Sequence, residues 1–257
     1  MIEARASGLY FSVMTTPRLY QAIELSEGNT ISLTADAAHH VSRVLRMSVG
    51  DTVIIFNGQG GEYHGTVTDI SKKSVIVQLQ QFNDSNTESP LHIHLGQSIA
   101  RGEKMDLILQ KSVELGVTEI TPLFSEFGNV KLPTDRLRKR LQHWRGVIIS
   151  ACEQCGRTFI PTLNPPIKTQ LWLEGLSADV LGLVLNPRGE HSIKTLPADT
   201  KNIALLIGPE GGLSDAEVML AKEKGFLDSR LGPRVLRTET AALATIAALQ
   251  SQLGDFN

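Results

Sequence analysis

The last two-thirds of this chain alternate between short apolar runs and amphipathic helical patterns, and this alternation restricts the fold more than any other feature. The runs typical of strands are "LHIHLGQSIA", "TEITPLFS", "DVLGLVLN", "NIALLIG" and the short "DSRLG". The helical patterns are "GEKMDLILQKSVELG", "RLQHWRGVIISACEQCG", "SDAEVMLAKEKG" and "TETAALATIAALQSQL". Because strands that alternate with helices usually run parallel, the pattern predicts an α/β domain with a mostly parallel sheet and helices on both faces.

The first third of the chain has a different pattern, which predicts several short strands and one helix. Two β-branched runs flank "NGQGG", whose asparagine and glycines suit a hairpin turn, and "KKSVIVQLQQF" adds an alternating strand. This pattern predicts a small β-barrel over residues 17–83. The polar "NDSNTESP" predicts a linker at 84–90, which leaves the parallel sheet to residues 91–257. Residues 1–16 are expected to be a leader outside the fold, since "MTTPRLY" looks like an alternative start.

Composition and charge exclude several classes of protein. No apolar run approaches the length of a membrane span, and the N-terminus lacks the features of a signal peptide. With only 2 cysteines, the chain is expected in the cytoplasm, without a membrane partner. The net charge of -2 argues against a uniformly basic surface, but a local basic face is enough for nucleic acid. The segment "KLPTDRLRKRLQHWR" fits such a face, and it fits a solvated helix surface equally well.

The stretch "LLIGPEGGLSDAEV" indicates a ligand site at the end of a strand. Ser214 and Glu217 form a capping-box pattern, so the preceding loop should lie at the carboxyl end of a parallel strand, where α/β sheets bind ligands. Glycines at 208, 211 and 212 leave room for a ligand against the backbone. The loop matches neither G-x-G-x-x-G nor a P-loop, and Glu210 would repel a phosphate. A neutral or cationic ligand fits better, with a simple tight turn as the alternative.

A second loop of the same kind follows in "LGPRVLRTETAALATIAAL". A short strand again ends in Gly-Pro, and Thr238 or Thr240 can cap the alanine-rich helix that follows. That helix is apolar nearly all round, which predicts burial at an interface. Loops that follow successive parallel strands should converge on one pocket. Arg234 and Arg237 would flank it, at a cost in free energy unless they meet carboxylates or a polyanion.

Together these two loops resemble the C-terminal signature of the RsmE family, which belongs to the SPOUT, or trefoil-knot, methyltransferases. The resemblance extends to "RGEKMDLILQKSVELGVTEITPLFSE" and "ACEQCGRTFIP", and covers residues from about 17 to 253. It implies a deep trefoil knot in the α/β domain and a PUA-like RNA-binding barrel before it. It also implies a homodimer through the knotted domain, which uses S-adenosylmethionine (SAM) to methylate N3 of one uridine in 16S rRNA on the assembled 30S subunit. The family target is uridine 1498.

The resemblance also assigns roles to individual residues. Backbone groups of the knot loops would cradle SAM, and its sulfonium cation would accommodate Glu210. The matching cofactor-binding positions are Leu185, Gly208, Pro209, Gly211, Leu231, Gly232, Val235 and Leu236. Because uridine N3 must lose a proton, Arg237 is expected to stabilise the resulting charge on O2 and O4, and Glu210 to accept the proton or orient the base. The alternatives are a salt bridge within the knot for Arg237 and a structural hydrogen bond to loop amides for Glu210.

Basic residues of both domains are expected to contact RNA. Arg43 and Arg46 are spaced to share one helical face, with a solvated face as the alternative. The predicted RNA-binding residues are Arg43, Arg46, Arg101, Lys104, Lys111, Arg138 and Arg157. Two rival functions stay open: a SPOUT methyltransferase for another rRNA base or for tRNA, and a non-catalytic ribosome assembly factor. Damaged cofactor loops would indicate the assembly factor, and both loops are intact in the sequence.

No metal is expected. Cys152 and Cys155 form a C-x-x-C pair, but a zinc site needs further ligands that no matching pair supplies, so ordinary helix packing explains them better. The adjacent histidines at 39 and 40 would point apart on a helix, and His92 and His94 supply only two ligands.

Overall fold

The computed structural model of the protein describes residues 16–71, 74–128 and 134–256. It divides into two compact units: the first runs to Asn57 and continues over Gly61–Asp84, and the second comprises Gly58–Gly60 and Ser85–Asn257. The predicted leader lies outside the described residues except for Thr16. Within the described part of the chain, no helix is long and apolar enough to cross a membrane.

The first unit is a five-stranded sheet with a short helical segment. Its strands are β1 (Arg18–Tyr20), β2 (Thr30–Ser32), β3 (Thr52–Phe56), β4 (Glu62–Ile70) and β5 (Val75–Asn83). They lie in the order β1-β3-β4-β5-β2, with β1 parallel to β3 and all other neighbours antiparallel. The predicted hairpin is confirmed, because β3 pairs with β4 across a turn in which Gly60 and Gly61 have φ angles of +99° and +65°. Val53, Ile55 and Val77 belong to its buried core.

The helix predicted for this unit differs from the one observed. The segment "ADAAHHVSRVLR" forms α1 (Ala35–His39) and then a π-helical turn over His40–Val44, rather than one α-helix. Arg46 lies beyond that turn with a φ of 52°, in the left-handed region that few side chains adopt. Arg43 and Arg46 are both exposed, but the expected shared helical face does not exist.

The second unit contains the predicted parallel sheet. Its strands are β6 (His92–Ser98), β7 (Glu119–Phe124), β8 (Thr162–Leu163), β9 (Ile167–Lys168), β10 (Leu181–Leu185), β11 (Asn202–Ile207) and β12 (Leu227–Ser229). The main path runs β12-β10-β11-β6-β7-β8, β9 pairs with β7, and every pairing is parallel. β12 ends at Ser229, so the last residues of the predicted strand "DSRLG" belong to a loop.

Helices cover both faces of this sheet. They are α2 (Glu103–Glu114), α3 (Thr134–Cys155), α4 (Thr169–Gly175), α5 (Asp215–Glu223) and α6 (Thr238–Leu253). Trp172 of α4 and Ala221 of α5 pack with Ala204 and Leu206 of β11 on one face. Helix α2 contacts α3 and α6, and α6 contacts β11. These helices cover the opposite face of the sheet, to which the β11 residues that alternate with Ala204 and Leu206 point. Helix α4 was not predicted, because it is short and follows a proline-rich loop.

Three neighbouring strands place their carboxyl ends side by side. β12, β10 and β11 lie in that order, and Leu183 of β10 is in register with both Leu205 and Leu227. The segments that follow these strands therefore emerge together at the end of the sheet where α/β proteins bind ligands. The deep trefoil knot implied by the resemblance stays a prediction.

Candidate functional site

A cavity of about 590 Å³ opens at the carboxyl ends of β10, β11 and β12, within the range of about 300–1,000 Å³ typical of small-molecule sites. Its apolar and glycine wall consists of Leu185, Pro187, Ile207, Gly208, Pro209, Gly211, Gly212, Leu213, Val218, Leu231, Gly232, Val235, Leu236 and Ala241. All eight residues predicted to bind the cofactor line this one cavity, and so do Glu210 and Arg237. The structure brings the two Gly-Pro loops together, while the roles of these residues stay predictions.

Backbone packing explains the glycines of both loops. A Cβ atom at Gly208 would lie 2.9 Å from the backbone nitrogen of Leu213, and one at Gly211 would lie 3.2 Å from Cβ of Phe127. Gly232 has a φ of +73°, where any side chain adds strain. Larger residues at these positions would displace the loops, so main-chain atoms form this part of the cavity wall.

The predicted capping box is present and fixes the end of the first loop. Ser214 Oγ accepts a hydrogen bond from the N–H of Glu217, whose Oε2 accepts one from the N–H of Ser214 at 3.0 Å. Oε1 of Glu217 also accepts a hydrogen bond from the N–H of Glu126 at 3.2 Å. The segment after β7 is therefore tied to the start of α5, beside the cavity.

Thr238 connects the two loops instead of capping α6. Arg237 occupies the N-cap position without a side-chain capping bond, so the predicted cap at Thr238 or Thr240 is wrong. The buried Thr238 hydroxyl donates to the carbonyl oxygen of Gly208 at 2.6 Å and accepts from Nε2 of Gln97 at 3.0 Å. Sequence reasoning missed Gln97, although a glutamine within the apolar run "LHIHLGQSIA" is the signal that could have identified it.

Glu210 is an ion-paired carboxylate in the cavity wall. Its Oε1 accepts a hydrogen bond from the N–H of Arg101 at 3.1 Å and lies 3.4 Å from Nζ of Lys104, which lies 3.8 Å from Oε2 of Glu239. Burial raises the pKa of Glu210, but hydrogen bonds from its own N–H, from Arg101 and from Lys104 outweigh burial and lower it. Glu210 is therefore ionised at neutral pH, and its contacts agree better with the structural alternative than with proton acceptance.

Three arginines line the cavity from its exposed side. Arg188 follows β10, and Arg234 and Arg237 lie between β12 and α6. Arg188 donates a hydrogen bond to Oδ1 of Asp215 at 2.7 Å. Among residues 16–71, 74–128 and 134–256, no carboxylate lies within ion-pair distance of Arg234 or Arg237. The salt bridge considered as an alternative for Arg237 is therefore not formed with any described residue.

The other predicted RNA-binding residues of this unit have varied surroundings. Arg101 is exposed, and Lys104 lines the cavity. Lys111 pairs with Glu114 at 2.7 Å, and Arg138 pairs with Asp135 at 3.0 Å, each within its own helix. Because such solvent-accessible pairs are weak, both side chains can exchange their partner for a phosphate.

Arg157 requires a correction, because the structure places it in the interior. It is 5% exposed, and its Nε donates to the carboxylate of Glu88 at 2.8 Å. Its Nη1 donates to the carbonyl oxygens of Val113 at 3.0 Å and Val117 at 2.8 Å. A side chain held by these partners cannot reach RNA, so the predicted RNA contact is replaced by a structural role.

The cysteines and histidines of this unit have structural surroundings. Within the described residues, no group of three or more His, Cys, Asp or Glu is placed to hold a metal ion. Cys152 and Cys155 are free thiols, and burial raises the pKa of Cys152 to about 12, which makes it unreactive. Burial lowers the pKa of His94 despite the opposing charge of Glu119, and Nε2 of His94 accepts a hydrogen bond from Nε1 of Trp172 at 3.1 Å.

Two protein-family models match the chain, one in each unit. A model described as an RNA methyltransferase domain matches residues 87–250, and one described as an RNA methyltransferase PUA domain matches residues 33–80. Similar full-length sequences include ribosomal RNA small subunit methyltransferase E of Buchnera aphidicola subsp. Acyrthosiphon pisum (strain APS), which is 39% identical over 93% of this chain and 95% of its own. The protein of that name from Bacillus subtilis (strain 168) is 29% identical over 89% of this chain and 93% of its own.

Solved structures with the same fold contain SAM. Ribosomal RNA small subunit methyltransferase E from Neisseria gonorrhoeae, bound to S-adenosyl methionine, has a TM-score of 0.89 at 38% identity, covering 94% of this chain and 100% of its own. A protein from Legionella pneumophila in complex with the bound cofactor SAM has a TM-score of 0.91 at 42% identity, covering 94% of this chain and 99% of its own. These similarities confirm the predicted fold class, a parallel α/β sheet with a small PUA-like domain.

Proposed function

Since this chain belongs to the RNA methyltransferase family that includes ribosomal RNA small subunit methyltransferase E, we propose that it methylates N3 of one uridine in 16S rRNA with SAM as the methyl donor. The observation that carries the proposal is the single cavity at the ends of β10, β11 and β12, in which all the predicted cofactor-binding positions meet. The proposed substrate is the assembled 30S subunit, which would place the protein in the cytoplasm.

The residues of the cavity suit SAM. Leu185, Leu231 and Leu236 give it an apolar wall for an adenine ring, and the glycine backbone of both loops allows close approach to main-chain N–H and C=O groups. The ionised carboxylate of Glu210 offers a negative charge to a ligand that carries sulfonium and ammonium cations. Bound there, SAM supplies a methyl group on a positively charged sulfur, which makes that carbon open to nucleophilic attack.

In this proposal Arg237 assists the loss of the uridine N3 proton. N3 becomes a nucleophile only as this proton leaves, and the negative charge then spreads onto O2 and O4. Arg237 is exposed and lines the cavity, and a guanidinium can donate hydrogen bonds to such an oxygen. In this proposal Glu210, whose pKa is lowered, is the charge partner of the methyl donor, and the proton leaves to solvent at the exposed rim.

We also propose the homodimer that the resemblance implies, with α6 in the interface. Leu243, Ala244, Ala247 and Ala248 are only half-buried in the single chain, and a second copy would cover them. Light scattering should give twice the chain mass of 28.0 kDa, and Leu243→Asp should shift the protein towards the monomer. A monomer at every concentration of the unmodified protein would contradict the dimer.

Methyl transfer from labelled SAM to small ribosomal subunits that lack their uridine methylation tests the proposed reaction. Nucleoside mass spectrometry should find the label in N3-methyluridine, and Arg237→Ala should abolish most of the transfer while SAM still binds. Label in another nucleoside of rRNA or in tRNA would show that the protein methylates one of the rival substrates instead. A protein that neither binds SAM nor transfers methyl would be an assembly factor rather than an enzyme.

A further inference from the structure

The charges around the cavity do not suit the methyl donor alone. Arg188, Arg234, Arg237 and Lys104 bring four positive side chains to its wall, whereas Glu210 is the one carboxylate among the described residues that line it. A donor with a sulfonium, an ammonium and one carboxylate group carries a net positive charge, so an excess of arginine weakens its binding. The arginines therefore suit an anionic partner other than SAM.

Lys104 is neutralised within the protein, whereas Arg234 and Arg237 have no carboxylate within ion-pair distance among the described residues. Its Nζ lies between the carboxylates of Glu210 and Glu239, at 3.4 and 3.8 Å. Arg188 pairs with Asp215, and both side chains of that pair are highly exposed, so the pair is weak and easily exchanged. The unbalanced positive charge of the cavity thus lies on the arginines of its rim.

Arg188 and Arg234 stand on two loops that leave adjacent strands. Arg188 follows β10 and Arg234 follows β12, and these strands are direct neighbours. Nη2 of Arg234 lies 3.8 Å from the position that a Cβ atom would take on Gly232, so its guanidinium rests near the loop backbone. Next to it, Val235 is 81% exposed, so the same rim also carries an apolar side chain that is open to solvent.

We infer that Arg188 and Arg234 bind backbone phosphates beside the target nucleotide and thereby position that nucleotide over the cavity. Planar guanidinium groups match phosphate oxygens in pairs of charge-assisted hydrogen bonds, and contacts to phosphate set the register of a nucleic acid on a protein. The two arginines are positioning residues, distinct from Arg237, which acts on the base. This inference rests on the proposed function, because it assumes that the cavity takes SAM and an RNA nucleotide together.

The salt dependence of binding to small ribosomal subunits that lack the uridine methylation tests this inference. Each phosphate contact adds roughly 0.7–0.9 to the slope of log affinity against log salt. Arg188→Ala and Arg234→Ala should each lower that slope by about one contact and weaken binding about 5–10-fold at moderate salt. SAM affinity, measured by calorimetry, should stay the same or rise slightly, because the arginines repel the cationic donor rather than bind it. Arg230→Ala is the matched control, because Arg230 is exposed on the same segment but does not line the cavity.

The outcomes separate this inference from the proposed function. If the unmodified protein transfers methyl but both variants keep its salt slope, the phosphate contacts do not exist. Loss of SAM affinity in the variants, with an unchanged slope, would assign the arginines to the donor and overturn the inference as well. If no methyl is transferred, the proposed function fails, and the salt slopes still decide whether Arg188 and Arg234 contact RNA.

Discussion

Arg157 and Arg237 show how differently one residue type is used in two regions of this molecule. Arg157 is buried, and its guanidinium meets the carboxylate of Glu88 and two backbone carbonyls. Arg237 is exposed at the cavity, with no carboxylate among the described residues within ion-pair distance. A buried charge needs its partners inside the protein because water cannot solvate it. The partners of a charge, rather than its motif, separate the structural Arg157 from Arg237, for which we propose a role in the reaction.

The polar cluster around His94 follows the same principle as Arg157. Nε2 of His94 lies 2.8 Å from Oγ1 of Thr121 and accepts from Nε1 of Trp172. Nδ2 of Asn164 donates to Oε1 of Glu119 at 2.6 Å and to Oγ1 of Thr121 at 2.9 Å. These groups are partnered within the protein, so we expect changes here to alter stability, and changes at the cavity rim to alter activity.

Replacing Arg157 with methionine should give the largest loss of stability. The change leaves the Glu88 carboxylate without its cation and removes the Arg157 donor from the carbonyls of Val113 and Val117, although the Val113 carbonyl keeps its hydrogen bond from the N–H of Gly116. Breaking a buried ion pair in this way costs about 3–5 kcal/mol of unfolding free energy, which urea denaturation measures.

Arg138→Ala is the matched control, because it removes an ion pair with Asp135 in which both side chains are exposed. Its unfolding free energy should change by less than about 0.5 kcal/mol. An equally small change in unfolding free energy for Arg157→Met would contradict the distinction between the buried Arg157 and the exposed arginines.

Arg237→Ala should have the opposite effects to Arg157→Met, with a large loss of activity and little change in stability. Removing the donor that faces the developing charge should lower kcat by about 10²–10³-fold, with unfolding free energy within about 0.5 kcal/mol of the unmodified protein. Arg237→Lys keeps the charge but loses the planar donor geometry, so its kcat should lie between those of Arg237→Ala and the unmodified protein. Full activity of Arg237→Ala in the methyl-transfer assay would show that the charge plays no part in the reaction.

Thr238→Val should have a smaller effect, and it should lower both stability and SAM affinity. It removes the hydrogen bond to the Gly208 carbonyl and leaves Nε2 of Gln97 without this acceptor, at a cost of roughly 0.5–1.5 kcal/mol. SAM affinity should fall a few-fold because the Gly208 loop is less well held, and Thr238→Ser should restore it. Calorimetry that finds equal affinities for Thr238→Val and the unmodified protein would remove this link from the site.

The pH dependence of stability should carry a modest contribution from His94. Burial lowers its pKa in the folded protein, so the unfolded chain, with a histidine pKa of about 6.5, binds the proton more readily. The contribution of neutral His94 is therefore complete above about pH 6.5 and is lost as pH falls through the folded pKa, with a slope of at most about 1.4 kcal/mol per pH unit. Urea unfolding followed by tryptophan fluorescence measures it, and His94→Gln should flatten this part of the profile. Identical profiles of stability against pH for His94→Gln and the unmodified protein would show that His94 does not contribute to this pH dependence.

Features that depend on local periodicity could be predicted from the sequence. The alternating apolar runs indicated the parallel sheet, and the Ser214 and Glu217 pattern indicated where α5 begins. Because both Gly-Pro loops follow strands of one parallel sheet, their convergence on one cavity also followed from the sequence.

Features that depend on distant partners could not be predicted. Thr238 has the sequence context of a helix cap, but its hydroxyl binds the carbonyl of Gly208 in another loop. Arg157 has the context of a basic surface residue, and only the position of Glu88 shows that it is buried. Helix α4 is fixed by the packing of Trp172 and Leu173 against the sheet, which a short segment does not reveal by itself.

A crystal structure of the protein grown with SAM tests the central claim most directly. We predict that SAM occupies the cavity at the carboxyl ends of β10, β11 and β12, against Leu231 and Leu236, with its methyl group directed to the rim that carries Arg237. SAM bound elsewhere, or in this cavity with its methyl group turned away from Arg237, would contradict the proposal that Arg237 and the other arginines of the rim face the RNA substrate.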